Sequence, residues 1–80
     1  MRNDMERQKP RMFVQLGTHL ISDEGNEFRN YIAAYSDPNN HLDNAAEQAD
    51  NPREALEKLY VTLESKGLPR NTLPRPQFLG

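Results

Sequence analysis

The segment from residue 51 to residue 69 constrains the fold more than any other, because it carries both a helix start and a helix end. Asn51-Pro52-Arg53-Glu54 places an N-cap side chain before a proline at the first helical position, with Glu54 at the capping-box position. Gly67 can adopt the left-handed conformation that closes a helix and returns Leu68 to Leu63. This pattern predicts an α-helix over residues 52–66. Its apolar face consists of Ala55, Leu56, Leu59, Tyr60 and Leu63.

A β-hairpin is predicted over residues 12–36, centred on Asp23-Glu24-Gly25. A three-residue loop with glycine in the left-handed position is a type I turn followed by a G1 bulge, and this geometry fixes which residues pair. The resulting pairs are Leu20 with Phe28, Leu16 with Ile32 and Val14 with Ala34. All six side chains then share one apolar face, which a slip of one residue would scatter. A helix over residues 24–35 is the alternative, because Phe28, Tyr31, Ile32 and Tyr35 also fit a helical stripe.

The same register defines a second sheet face. It pairs Phe13 with Tyr35, Gly17 with Tyr31, and His19 with Arg29. A ring that lies over a strand glycine covers bare backbone. The helix covers the apolar face, so this aromatic face is expected to remain uncovered unless the C-terminal segment folds back over it with Phe78 and Leu79.

These elements predict an α+β fold in which an antiparallel sheet of two to three strands packs on one main α-helix. Residues 1–11 form a basic N-terminal arm, residues 12–68 a single domain, and residues 69–80 an extended Pro-rich tail, since three prolines forbid a helix there. Residues 45–49 are either a third, edge strand or a short helix. The predicted core consists of Val14, Leu16, Leu20, Phe28, Ile32, Leu56, Leu59 and Leu63.

Charge is distributed unevenly along the 80 residues. The net charge is −2, but residues 12–66 hold ten acids against four bases, while the two terminal segments each carry an excess of bases. An acidic body repels phosphate and favours a partner with a basic surface. No apolar run approaches the roughly 20 residues of a membrane helix, and there is neither a secretory leader pattern nor a cysteine. We therefore expect a cytoplasmic protein that does not enter a membrane.

Sequence motifs for chemistry are weak. The residues Asp37, Asn39, His41 and Asp43 have the alternate spacing of a calcium loop, but Leu42 and Gln48 stand where such a loop needs glycine and glutamate. The glycines are too dispersed for a phosphate-binding loop, and no serine lies in a nucleophile motif. We expect no metal, no cofactor and no enzymatic activity.

The surfaces point instead to binding. The aromatic face, an exposed sheet edge and the tail suit a protein partner or a second copy of the chain in a homodimer. Nucleic acid is the less favoured alternative, in which the aromatic face stacks bases and the basic tails contact phosphates. The expected partner-binding residues are Phe13, His19, Asp23, Glu24, Glu27, Arg29, Tyr31, Tyr35, Leu73, Phe78 and Leu79.

The order of two strands, then Asp50-Asn51-Pro52-Arg53-Glu54-Ala55-Leu56, a four-turn helix and Gly67-Leu68-Pro69 resembles the compact half of HicB-type antitoxins. The resemblance covers residues 12–76 loosely, and it lacks the family's proline-glycine-cysteine strand motif and its DNA-binding segment. It implies a hairpin-plus-helix unit that covers and silences a small toxin without doing chemistry. In size and acidity the chain is also similar to phage-encoded inhibitors such as anti-CRISPR proteins.

Overall fold

A computed structural model describes residues 9–79 of the chain, so residues 1–8 of the predicted basic N-terminal arm lie outside the described residues. The described part has the α+β fold expected from the sequence. The elements in order are β1 (Arg11–Ile21), β2 (Glu27–Ser36), β3 (Ala45–Ala49), α1 (Pro52–Ser65) and β4 (Gln77–Leu79). They form one four-stranded sheet in the order β3-β2-β1-β4. The sheet is larger than predicted and mixed, because β4 pairs in parallel with β1 while the other pairs are antiparallel.

Both ends of α1 are closed by the residues that predicted it. The Glu54 backbone N–H donates to the Asn51 side chain at 2.8 Å, which satisfies one of the free donors of the first turn. At the other end Gly67 has φ +87, and the Leu68 N–H donates to the Leu63 carbonyl at 2.9 Å. This is the Schellman motif, so the predicted boundaries are confirmed to within one residue.

The hairpin loop is also confirmed. Gly25 has φ +86, and the Ser22 N–H donates to the Asn26 carbonyl at 2.8 Å. From the loop back to Thr18, β1 and β2 pair in the predicted register, with Leu20 opposite Phe28.

Beyond Thr18 the predicted register is wrong, because a β-bulge lies at Gly17. The pairing shifts by one residue between Leu16 and Thr18. The observed pairs are Leu16 with Tyr31, Val14 with Ala33, Phe13 with Ala34 and Met12 with Tyr35. A bulge adds one residue to β1, so the residues of β1 before it pair with β2 residues one position earlier than predicted and share a face with different β2 side chains.

Glycine at position 17 makes room for this bulge. A Cβ there would lie 2.6 Å from Cδ1 of Ile32 and 3.3 Å from the Asn30 carbonyl oxygen. The side chain that covers Gly17 is therefore Ile32, whereas the sequence predicted Tyr31.

The core lies between the sheet and α1 and differs from the predicted set. Val14, Leu59 and Leu63 are buried as expected. Leu20 and Phe28 were expected in the core, but they are 60% and 57% exposed because they lie on the face of the sheet that is turned away from α1. Leu16 and Ile32 are not buried either, and Leu56 packs only at the edge of the core. Their places are taken by Met12, Ala33, Tyr35, Ala49 and Ala55.

The C-terminal segment runs back along the domain. Leu68 and Leu73 pack against the core, and the Arg70 guanidinium lies 4.2 Å from the centre of the Tyr60 ring. Residues 70–72 form a 3-10 turn, after which β4 lies beside β1. Between β2 and α1, a 3-10 turn over residues 41–43 leads into β3, so residues 45–49 form the edge strand that the sequence left open.

Candidate functional site

The sheet has two faces, and α1 covers only one of them. We use the name open face for the face turned away from α1. Strand alternation and the observed register place the following residues on it: Arg11, Phe13, Gln15, Gly17, Thr18, Leu20, Phe28, Asn30, Ile32, Ala34, Ser36, Ala46, Gln48, Gln77 and Leu79.

The open face carries no charged side chain and no histidine between Arg11 and the hairpin loop. Charged residues make up 28% of the sequence, so the open face is depleted of them. Its apolar members are well exposed at the distal end, where Leu20 pairs with Phe28, and Leu79 is also exposed on β4. Phe13, Ile32 and Ala34 are half-buried by their neighbours. An exposed apolar patch with this composition is typical of an interaction surface.

Part of the hairpin projects beyond the helix. The 11 residues of β1 span about 37 Å, whereas the 14 residues of α1 span about 21 Å. We call residues 17–30 the arm. Its side chains are exposed apart from two half-buried positions, Ser22 and Asn30.

On the arm, the side opposite the open face carries an ion-paired cluster. His19 and Arg29 face each other across the strands, and both contact Glu27. The His19 Nε2–H donates to Glu27 Oε1 at 2.8 Å, and an Arg29 nitrogen donates to the same oxygen at 3.3 Å. The hydrogen bond from His19, followed by the charge of Arg29, lowers the pKa of the Glu27 carboxyl.

An exposed apolar side chain stands beside this cluster. Ile21 pairs with Glu27 and is 66% exposed. Asp23 and Glu24 follow in the loop, and neither takes part in a salt bridge within the described residues. We call the set His19, Ile21, Asp23, Glu24, Glu27 and Arg29 the arm surface.

The structure separates the residues that the sequence grouped as one aromatic face. Phe13 lies on the open face, but Tyr31 and Tyr35 lie on the side of α1, and Tyr35 is only 4% exposed. The prediction that the three rings share an uncovered face is wrong, because the bulge at Gly17 reverses the alternation.

The three predicted tail anchors also separate. Leu73 is half-buried against the core, whereas Phe78 and Leu79 are exposed on β4. Phe78 pairs with Val14 on the side of α1, and Leu79 pairs with Gln15 on the open face. Sequence reasoning missed Leu20, Ile21 and Phe28 as surface residues. The signal that could have found Ile21 is the length of the strands, which exceeds what one short helix covers, and the signal for Leu20 and Phe28 is the lone glycine inside β1, which marks a bulge.

A cleft of about 550 Å³ is lined by Glu27, Phe28, Arg29 and Asp50. A cleft of about 210 Å³ lies between β4 and the start of α1, lined by Val14, Tyr31, Pro52, Phe78 and Leu79. Its lining is apolar except for one phenol. Among residues 9–79, no three histidine or acidic side chains are grouped to hold a metal ion. The turn over residues 37–44 satisfies its polar groups internally, for example through the Asp37 N–H, which donates to the Asn44 side chain at 2.7 Å.

Comparison with known proteins gives no match to a family model, to a curated protein or to a solved structure. No helix within the described part of the chain is long and apolar enough to cross a membrane.

Proposed function

We propose that this protein acts without catalysis, as an inhibitor or adaptor that occupies the surface of a partner protein in the cytoplasm. The observation that carries the proposal is the arm, which holds an exposed isoleucine beside an ion-paired cluster and away from the body of the domain. A projecting hairpin of this kind can enter a groove or lie along a flat surface of another protein.

The arm surface combines the two parts of a protein-binding site. Ile21 is an apolar side chain that a partner pocket can bury, and the groups around it form a polar rim. The His19 and Arg29 side chains are already held by Glu27, so their geometry is ordered before binding. Ordering in the free protein reduces the entropy lost on association.

Charge indicates the kind of partner. The arm holds three carboxylates and one guanidinium, and Glu27 is the carboxylate engaged by that guanidinium. Asp23 and Glu24 remain available for cations on a partner. A basic rim around an apolar pocket would complement this surface and speed association at low salt. The resemblance to HicB-type antitoxins and to small phage inhibitors also supports a role in silencing another protein.

The nucleic-acid alternative loses the arrangement on which it was based. It required Phe13, Tyr31 and Tyr35 on one exposed face with cations beside them. Tyr35 is in the core, and the open face has no cation between Arg11 and the loop. We therefore propose a protein partner alone.

The test compares capture from cell lysate by three immobilised forms of the chain. Ile21→Ser removes the apolar side chain of the arm surface, and Val61→Ser is the matched control, since Val61 is 63% exposed on α1. We expect a protein that the wild type and Val61→Ser retain and that Ile21→Ser loses. Retention should also weaken with salt and in the double variant Asp23→Asn with Glu24→Gln.

Two outcomes would count against the proposal. In the first, no retained protein distinguishes Ile21→Ser from Val61→Ser. In the second, the retained material disappears on nuclease treatment, which would return the nucleic-acid alternative.

A further inference from the structure

The open face combines large apolar side chains with uncharged polar ones between Arg11 and the hairpin loop. An antiparallel sheet with one face on the core normally turns polar residues to solvent on the other face. Here that other face holds Phe13, Leu20, Phe28, Ile32 and Leu79 in a surround of amides, threonine, alanine and glycine. We propose that two copies of the chain stack sheet against sheet, with their open faces in contact.

Charge selects a second copy as the occupant. The region from residue 12 to residue 66 holds ten acids against four bases, and none of these charges lies on the open face. Two copies stacked on this face therefore keep every charge of that region in solvent. A partner with a charged surface would lose hydration there and find no counter-charge, which is costly. Between Arg11, which lies exposed at the end of the sheet, and the hairpin loop, a second open face brings no charge to be buried.

The area is sufficient for a specific contact. With strands about 4.8 Å apart and up to 11 residues long, β1 and β2 together have a planar area of about 350 Å² in one copy. The shorter strands β3 and β4 add roughly 130 Å². Because side chains project from the sheet, the solvent-accessible area of the open face is larger than this planar area. Two copies would bury about 1,000 Å² or more, which is the level at which specific interfaces begin.

The distribution of apolar side chains suits a two-fold axis. One group, Leu20 with Phe28, lies in the distal part of the hairpin, and a second group, Phe13 with Ile32, lies near its base. A two-fold axis near Gly17 places the distal group of each copy on the basal group of the other. Such an isologous contact uses the same patch twice.

The contact is independent of the proposed function, because the arm surface lies on the other side of the same strands. A dimer formed through the open face leaves both arm surfaces accessible. It would present two arms to the partner, and the partner experiment above can succeed or fail regardless of the dimer.

The first test is the molar mass of the full chain by light scattering, in a dilution series from roughly 10 µM to 1 mM. We expect a concentration-dependent rise toward twice the 9.2 kDa of one chain. Gln15→Lys adds a charge at an exposed position in the middle of the open face, and Val61→Lys adds the same charge on the outside of α1. Gln15→Lys should weaken the dimer by about 100-fold or more, while Val61→Lys should leave it unchanged.

A monomer throughout the series, an undiminished dimer of Gln15→Lys, or equal weakening by Val61→Lys would overturn the proposal. The first of these results is also the one expected if residues 1–8 of the same chain occupy the face.

A second measurement covers the case in which Gln15→Lys fails to fold. The chain has no cysteine, so one introduced cysteine can carry a spin label without side reaction. Labels at Thr18→Cys should lie within about 20 Å of each other across stacked sheets, which pack about 10 Å apart. Labels at Val61→Cys should be more than about 30 Å apart, because each helix lies outside its sheet. Equal distances for the two sites, or no dipolar signal from Thr18→Cys, would refute the stacking.

Discussion

Gly17→Ala tests the bulge that decides which side chains reach each face. The added methyl would meet Ile32 Cδ1 at 2.6 Å and Cγ1 at 2.9 Å, so the isoleucine must leave its position or the strand must move. Overpacking of this kind costs about 1–3 kcal/mol, and the stiffer unfolded chain offsets about 0.4–1 kcal/mol. We expect a net loss of about 1–2 kcal/mol in the free energy of unfolding.

The cause can be isolated with a double-mutant cycle. In an Ile32→Ala background both isoleucine contacts disappear, and only the Asn30 carbonyl oxygen at 3.3 Å remains near the new methyl. The cost of Gly17→Ala should therefore fall, with a coupling of about 1 kcal/mol or more between the two positions. Urea unfolding followed by circular dichroism, at a dilution at which the chain is monomeric, measures each corner of the cycle.

Gly25→Ala is the matched control. No atom lies within 4 Å of a Cβ at that position, so its cost arises from the positive φ alone and should be equal in both backgrounds. If Gly17→Ala costs the same in the wild type and in the Ile32→Ala background, within about 0.3–0.5 kcal/mol, the proposed packing of Ile32 over the bulge is refuted.

Three further predictions concern the helix cap and two titrating groups. Asn51→Ala removes the acceptor of the first-turn N–H and should lower the free energy of unfolding by about 1 kcal/mol in urea, and an unchanged midpoint would contradict the cap. His19→Ala removes the hydrogen bond that is the largest cause of the lowered pKa of Glu27, so NMR titration should find that pKa closer to its ordinary 4.5. An unmoved pKa would contradict the hydrogen bond between His19 and Glu27. Burial raises the pKa of Tyr35 above its ordinary 10.0, so above pH 10 the folded state keeps a proton that the unfolded state loses. The free energy of unfolding should therefore fall as the pH rises above about 10. Tyr35→Phe should reduce that alkaline loss in thermal unfolding, and an identical pH profile would argue against burial of the phenol.

The elements with local signals could be predicted from the sequence. The sequence predicts α1 because Asn51, Pro52 and Gly67 determine the backbone conformation of the residues next to them, and it predicts the loop because Gly25 can adopt a positive φ. The register beyond Gly17 could not be predicted by extending the loop geometry, because a bulge resets it. A lone glycine inside a strand is the usual mark of a bulge. Gly17 also fits under an aromatic ring of the neighbouring strand, and that interpretation places Tyr31 on the wrong face of the sheet.

β4 had no local signal. Its three residues pair in parallel with β1 only because the chain turns back after residue 72, with Leu73 packed against the core and Arg70 stacked on Tyr60. These contacts are tertiary. The same limit applies to the surfaces, since the bulge, and not composition, decides which face of the hairpin lies on the side of α1.

The register past Gly17 is the central claim, because it decides which side chains of the hairpin lie on the face of the sheet that α1 covers. Cross-strand nuclear Overhauser effects in the isotope-labelled protein measure it directly. The structure requires contacts between the backbones of Leu16 and Tyr31 and between those of Phe13 and Ala34. Contacts of Leu16 with Ile32 and of Phe13 with Tyr35 in their place would show an unbulged hairpin, and would contradict the assignment of both faces.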